Sequence, residues 1–171
     1  MSLALPEVVD AWRMVQAGRS FQGSLPLAAM PRLVADLAGS EGRVNFDLEF
    51  GKDQFGGAFL HVRADAALPL TCQRTLDTFK LDVAIDTRLG LITKEEDEAG
   101  LPPGYEPLLT PDGALRLVEV IEDELILAVP VVPVKPGTEQ VESSWGDTAE
   151  DAGAEAKPNP FAALKTMKVS R

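Results

Sequence analysis

Few side chains in this chain could do chemistry, and they are scattered. Cys72 is the only cysteine and His61 the only histidine. The stretch Cys72-Gln73-Arg74-Thr75 would be half of a zinc knuckle if Thr75 were a second cysteine. A closed structural zinc site takes four Cys or His ligands, supplied as close pairs, so this chain cannot complete one from its thiol and its imidazole. Without a metal, Cys72 reads as a small buried apolar side chain near a strand end, and His61, on the polar side of its strand, as a surface histidine. A nucleophile or general base needs an oriented partner, and the sequence nominates none.

Carboxylates are plentiful. Glu95, Asp97, Glu122 and Asp123 could in principle gather around magnesium and cleave a phosphodiester. The run Glu95 to Glu98 lacks the alternation and glycine turn of a calcium loop and reads as a solvated loop. Glu119, Glu122, Asp123 and Glu124 lack the Glu-x-x-His pairs of helical metal bundles, and read as an acidic helix face open to a basic partner. No phosphate loop, dinucleotide fingerprint or nucleophile elbow is present. No cofactor or metal ligand is therefore assigned, and the chain is not expected to be an enzyme.

Charge narrows the partners. The formal net charge is −11 over 171 residues, which argues against a broad grip on naked nucleic acid. Segment by segment, Lys plus Arg stand against Asp plus Glu as 4 to 4 in residues 1–43, 6 to 7 in 44–94, 1 to 10 in 95–134 and 5 to 6 in 135–171. Nine of the excess negative charges thus sit in one stretch, and the near-neutral first half could still touch RNA. One thiol, no signal-like start and no apolar run of membrane length predict a soluble cytoplasmic protein with no membrane and no small-molecule substrate.

The elements that must position these groups follow from periodicity. A short strand is expected at 20–25 and a short helix at 30–37, where Pro31 suits a first turn. From Val44 the period becomes two: Val44, Phe46, Leu48 and Phe50 alternate with Asn45, Asp47 and Glu49. Ala58, Leu60, Val62, Ala64 and Ala66 form a second run. Pro69 interrupts a third at 68–72, which suggests an edge strand or a bulge, and Phe79, Leu81, Val83 and Ile85 form a fourth. These runs predict an α+β fold, an antiparallel meander able to curl into a partial barrel. A helix from Leu115 to Val129 is stopped by Pro130. It should cover the sheet with Val118, Ile121, Leu125 and Ala128, widened by Leu117, Val120 and Leu127, while Glu119, Glu122 and Asp123 face out.

The expected organisation is one domain over 1–134, a flexible acidic linker over 135–157, and a basic peptide over 158–171. In that peptide Asn159 is a helix N-cap, Pro160 the first helical residue, and Phe161, Leu164 and Met167 an apolar stripe beside Lys165 and Lys168. Too short to hold alone, it must dock on its own core or fold on a partner, and the second is expected.

Three segments together resemble the YceD family, the bacterial large ribosomal RNA subunit accumulation proteins. They are Cys72-Gln73-Arg74, Tyr105-Glu106-Pro107 followed by the acidic helix with Glu122, Asp123, Glu124 and Pro130, and the tail segment containing Asn159, Pro160 and Phe161. Arg19, Phe21 and Gly23 also fit. The resemblance implies an accessory, binding role in making or accumulating 23S ribosomal RNA. Its implied partners are large-subunit RNA or particles, or a basic ribosomal protein or assembly factor. Family members often carry Cys-x-x-Cys where this chain has Thr75, so Cys72 looks like the remnant of a pair.

Overall fold

A computed structural model describes residues 5–138; of the linker expected over 135–157 only residues 135–138 are described, and the rest of it and the basic tail peptide lie outside the described residues. Its centre is a five-stranded sheet in the order β2 (Ser20–Pro26), β3 (Arg43–Lys52), β4 (Ala58–Thr71), β5 (Thr78–Ile92), β6 (Tyr105–Leu109). The first four form the expected antiparallel meander. β6 is parallel to β5, so the sheet is mixed and, among the described residues, open at both edges and no closed barrel. A parallel partner requires a crossover of about a dozen residues. The stretch 93–104, with its short 3-10 turn Glu95–Gly100, supplies it.

The runs expected at 58–66 and 68–72 are one strand. β3 pairs with β4 only from Ala58 to Ala66, so beyond that point β4 has an open side. Pro69 sits on this stretch, paired with Lys80 of β5. On its open side the Ala38 amide donates to its carbonyl at 2.8 Å. A proline without an N–H is tolerated because no third strand asks for it there.

The period-two pattern buries Val44, Phe46, Leu48 and Phe50 of β3 against Leu60, Val62, Ala64, Leu68 and Leu70 of β4. Phe79, Ile85, Leu89 and Leu91 of β5 complete that face. Three helices lie over it: α1 (Ala11–Gln16), capped by the Asp10 carboxylate on the Arg13 amide, α2 (Pro31–Asp36) and α3 (Leu117–Ala128). α1 packs on β3 and β4, and α3 on β5 and α2. A two-stranded ribbon of β1 (Val9–Asp10) and β7 (Ala114–Leu115) ties the start of the domain to the lead-in of α3. α1 and this ribbon were not legible as periodic runs. No helix among the described residues is long and apolar enough to cross a membrane.

Candidate functional site

The cysteine hairpin and the end of the acidic helix come together. β4 leads into the turn at Cys72, and the segment after Pro130 is laced along it. The Gln73 amide donates to the Pro133 carbonyl at 2.9 Å, the Lys135 amide to Cys72 Sγ at 3.4 Å, and the Arg74 guanidinium to the Thr138 carbonyl. Two pieces singled out separately in the sequence are therefore one structural unit. Cys72 has no solvent access, although it lies shallow in the fold. The Lys135 amide first, then the Thr75 hydroxyl and the Thr75 and Arg74 amides, favour its thiolate and bring its pKa down to about 6 against the opposing effect of burial. Hydrogen-bond donors from both segments thus surround the sulfur.

The same turn holds Leu76 at φ 61°, left-handed, with 76% of its surface exposed. A bulky side chain is strained there, at a cost of about 1–2 kcal/mol that glycine avoids. Leu76→Gly is expected to raise the unfolding free energy by about 1 kcal/mol despite glycine's greater chain entropy, read as a higher urea midpoint at unchanged slope. A loss of stability would show that Leu76 packs on something in solution.

The acidic helix differs from the expectation in one decisive respect. Glu119 and Asp123 are exposed, but Glu122 is 2% exposed and does not face out. Its Oε1 accepts the amides of Arg32 and Leu33 at 2.7 and 3.1 Å, and its Oε2 accepts from the Arg32 guanidinium at 3.0 and 2.9 Å. These amides begin α2, whose own N-cap residue Met30 contributes no side-chain hydrogen bond. Glu122 caps α2 from a different helix, satisfying donors that a helix start leaves open. Asp123 accepts from the same guanidinium at 2.7 Å, and Glu119 lies 3.7 Å from Arg116. Part of the acidic face is thereby answered within the chain. Arg32, some ninety residues away in sequence, has no local signature that would have marked it.

Glu124 is also turned inward, at 9% exposed. Burial raises its pKa first, the Thr87 hydroxyl opposes this, and Glu106 and Asp123 add to the rise. Leu127, expected in the core, is 74% exposed. Beyond it Pro130 ends the helix, and Val131 and Val132 stand out at 100% and 61% exposure. A cleft of about 330 Å³ lies beside them, lined by Ile126, Val129, Val131 and Pro133 with Gln73 and Asp36.

Tyr105 opens β6, on the sheet face opposite the helices. Its ring meets Phe59 edge-on at 6.3 Å, and the Arg88 guanidinium lies 5.8 Å over Phe59. His61, on that same face, is more sheltered than expected, its side chain 12% exposed, and its Nε2 lies 2.6 Å from Asp86 Oδ1. That contact is the main cause holding the Asp86 carboxyl below its usual range. Glu95 and Asp97 lie on the crossover turn, where Asp97 accepts from the Thr93 hydroxyl and the Lys94 amide. They are on a different element from Glu122 and Asp123. Among the described residues no three His, Cys, Asp or Glu side chains converge as a metal site would need. Asn159, Pro160, Phe161, Leu164, Lys165 and Lys168 lie outside the described residues.

Residues 60–168 match the family described as "Large ribosomal RNA subunit accumulation protein YceD". A curated protein of that name from Haemophilus influenzae is 27% identical over 170 residues, covering 96% of each chain. No solved structure matches. The family match runs from β4 through the cysteine hairpin, Tyr105 and the acidic helix to the basic tail, and the chain belongs to the YceD family.

Proposed function

We infer that this chain acts by binding, in the synthesis, processing or accumulation of large-subunit ribosomal RNA, and not by catalysing a reaction on it. The family name supports the process. The observation that carries the binding reading is the use made of the carboxylates. Of the four carboxylates weighed for magnesium, Glu122 has both oxygens committed to α2 and Arg32, and Asp97 is committed to its own turn.

The proposed contacts are the exposed acids Glu119 and Asp123 toward a basic ribosomal protein or assembly factor, and the tail residues Asn159, Pro160, Phe161, Leu164, Lys165 and Lys168 toward the particle or its RNA. The reach of the family match to residue 168 supports a role for the tail. The hairpin residues Cys72 and Arg74 and the segment after Pro130 are proposed to set the shape from which that tail departs.

Tagged chain in cells is expected to co-sediment with large-subunit precursors, more weakly as salt rises. Phe161→Ala should weaken that association by about tenfold, as a buried aromatic anchor does. Lys165→Ala should weaken it only a few-fold, since one exposed charge pair contributes about 0–1 kcal/mol. Absence from the precursors at every salt concentration would sink the reading. Magnesium-dependent cleavage of precursor RNA by the pure chain, lost in Asp123→Ala, would put a hydrolase in its place.

A further inference from the structure

The sheet has two edges, and they are not guarded alike. β6 is five residues long and carries Glu106 and Pro107, two devices that discourage another strand from pairing. β2 is seven residues long, Ser20-Phe21-Gln22-Gly23-Ser24-Leu25-Pro26, with no charge and with its only proline at the very end. Among the described residues nothing pairs with its outer side.

The register states which groups are open. The Phe50 amide donates to the Arg19 carbonyl at 2.9 Å and the Leu27 amide to the Gly42 carbonyl at 3.1 Å, on either side of the β2–β3 ladder. With Phe21 opposite Leu48, Gly23 opposite Phe46 and Leu25 opposite Val44, the odd-numbered residues are those bonded to β3. The amides of Ser20, Gln22 and Ser24 and the carbonyls of Ser20 and Gln22 therefore point away from the sheet. The Ser24 carbonyl is taken by the Arg43 guanidinium at 2.9 Å. Pro26 falls on the outward set, where its missing N–H costs nothing to the ladder.

We propose that β2 is a docking edge for an extended, lysine- or arginine-bearing segment of a protein partner, which adds to the sheet as a sixth strand. The proposal rests on the binding reading above and names the kind of partner. Main-chain hydrogen bonds to the outward groups would supply affinity, as in other strand additions. Charge selects the occupant. Ser20 lies opposite Glu49 and Gln22 opposite Asp47 on the helix-free face, so the docking strand's side chains look across short or neutral groups toward two carboxylates. That distance is about 10 Å, two strand spacings, within reach of a lysine or arginine laid across the sheet. Arg63 contacts both carboxylates, at 3.2 and 3.7 Å, and leaves one negative charge at the Ser20–Gln22 end of the edge, while the Arg43 cation stands at the other end, held on Ser24. A second copy of this chain is a poorer occupant. Each copy carries −11, and one short edge covers far less than the roughly 1,200–2,000 Å² of a stable interface.

The test uses the full chain and an acetylated, amidated heptapeptide of alternating lysine and valine, with its glutamate–valine counterpart as control. In the free chain, hydrogen exchange by NMR should alternate along β2, fast at Ser20, Gln22 and Ser24 and slow at Phe21, Gly23 and Leu25. The lysine peptide should slow exchange at the three outward amides by about tenfold or more, and the glutamate peptide should not. Gln22→Pro removes only an outward N–H and should abolish the effect. Gln22→Lys, which needs no backbone change, should weaken it by placing a cation at the centre of the edge. Slow exchange at the outward amides of the free chain would overturn the proposal: if it grows with protein concentration a second copy is the occupant, and if it does not the chain covers its own edge. No protection by the lysine peptide would overturn it also. Co-sedimentation of Gln22→Pro at the wild-type level would sink the edge while leaving the binding reading intact, whereas failure of the wild-type chain to co-sediment would sink that reading alone.

Discussion

Glu122→Ala is expected to lower the unfolding free energy by about 2–3 kcal/mol, because it removes a buried acceptor shared by two backbone amides and by the half-exposed Arg32 guanidinium. The change strips acceptors from the Arg32 and Leu33 amides and from a guanidinium. It uncaps α2 and leaves the buried Leu33 amide without its acceptor, while the half-exposed Arg32 guanidinium can turn to water. Glu122→Gln keeps an oxygen for the two amides and should lose less. Arg32→Ala should also lose less, because the carboxylate keeps both backbone donors. Urea unfolding with an unchanged slope measures all three. If Glu122→Ala melted within about 0.5 kcal/mol of wild type, as surface substitutions do, the carboxylate would be a surface group after all, and the outward acidic face read from sequence would be restored.

Leu125→Ala should be as damaging, at about 3 kcal/mol, and Leu127→Ala nearly silent, within about 0.5 kcal/mol. Both are leucines in the last turns of α3. Leu125 has no exposed surface and joins Leu117, Val120 and Ile121 in the core, whereas Leu127 is mostly in solvent. Equal losses would mean that Leu127 is covered in solution, by another molecule or by residues outside those described. Neither substitution touches the proposed contacts of Glu119 or Asp123, so particle association of folded Leu127→Ala should match wild type.

These two results separate what each level of structure decided. Alternation of apolar and polar side chains is a local property, because successive strand residues face opposite sides whatever surrounds them. The buried faces of β3, β4 and β5, and the helix stopped by Pro130, were therefore legible in the sequence. So was the helical segment at Pro31, where a proline preset the first turn. The family was legible as well, through short segments whose order along the chain is itself local information.

Contacts between distant segments left no such mark. A helix buries an arc of its surface, and the residues at the two borders of that arc can go either way. On α3, α2 covers the border that carries Glu122 and leaves open the one that carries Leu127. An acid became core and a leucine became surface, because α2 starts with amides that needed an acceptor. The same holds for β4, where Pro69 read as a break until the short reach of β3 left it an open side. It holds for β6, whose parallel pairing depends on the length of a crossover and not on its own five residues. Cys72 follows the same rule: its sequence neighbours showed only a missing ligand, and the fold brought the Lys135 amide from beyond the acidic helix to bond its sulfur.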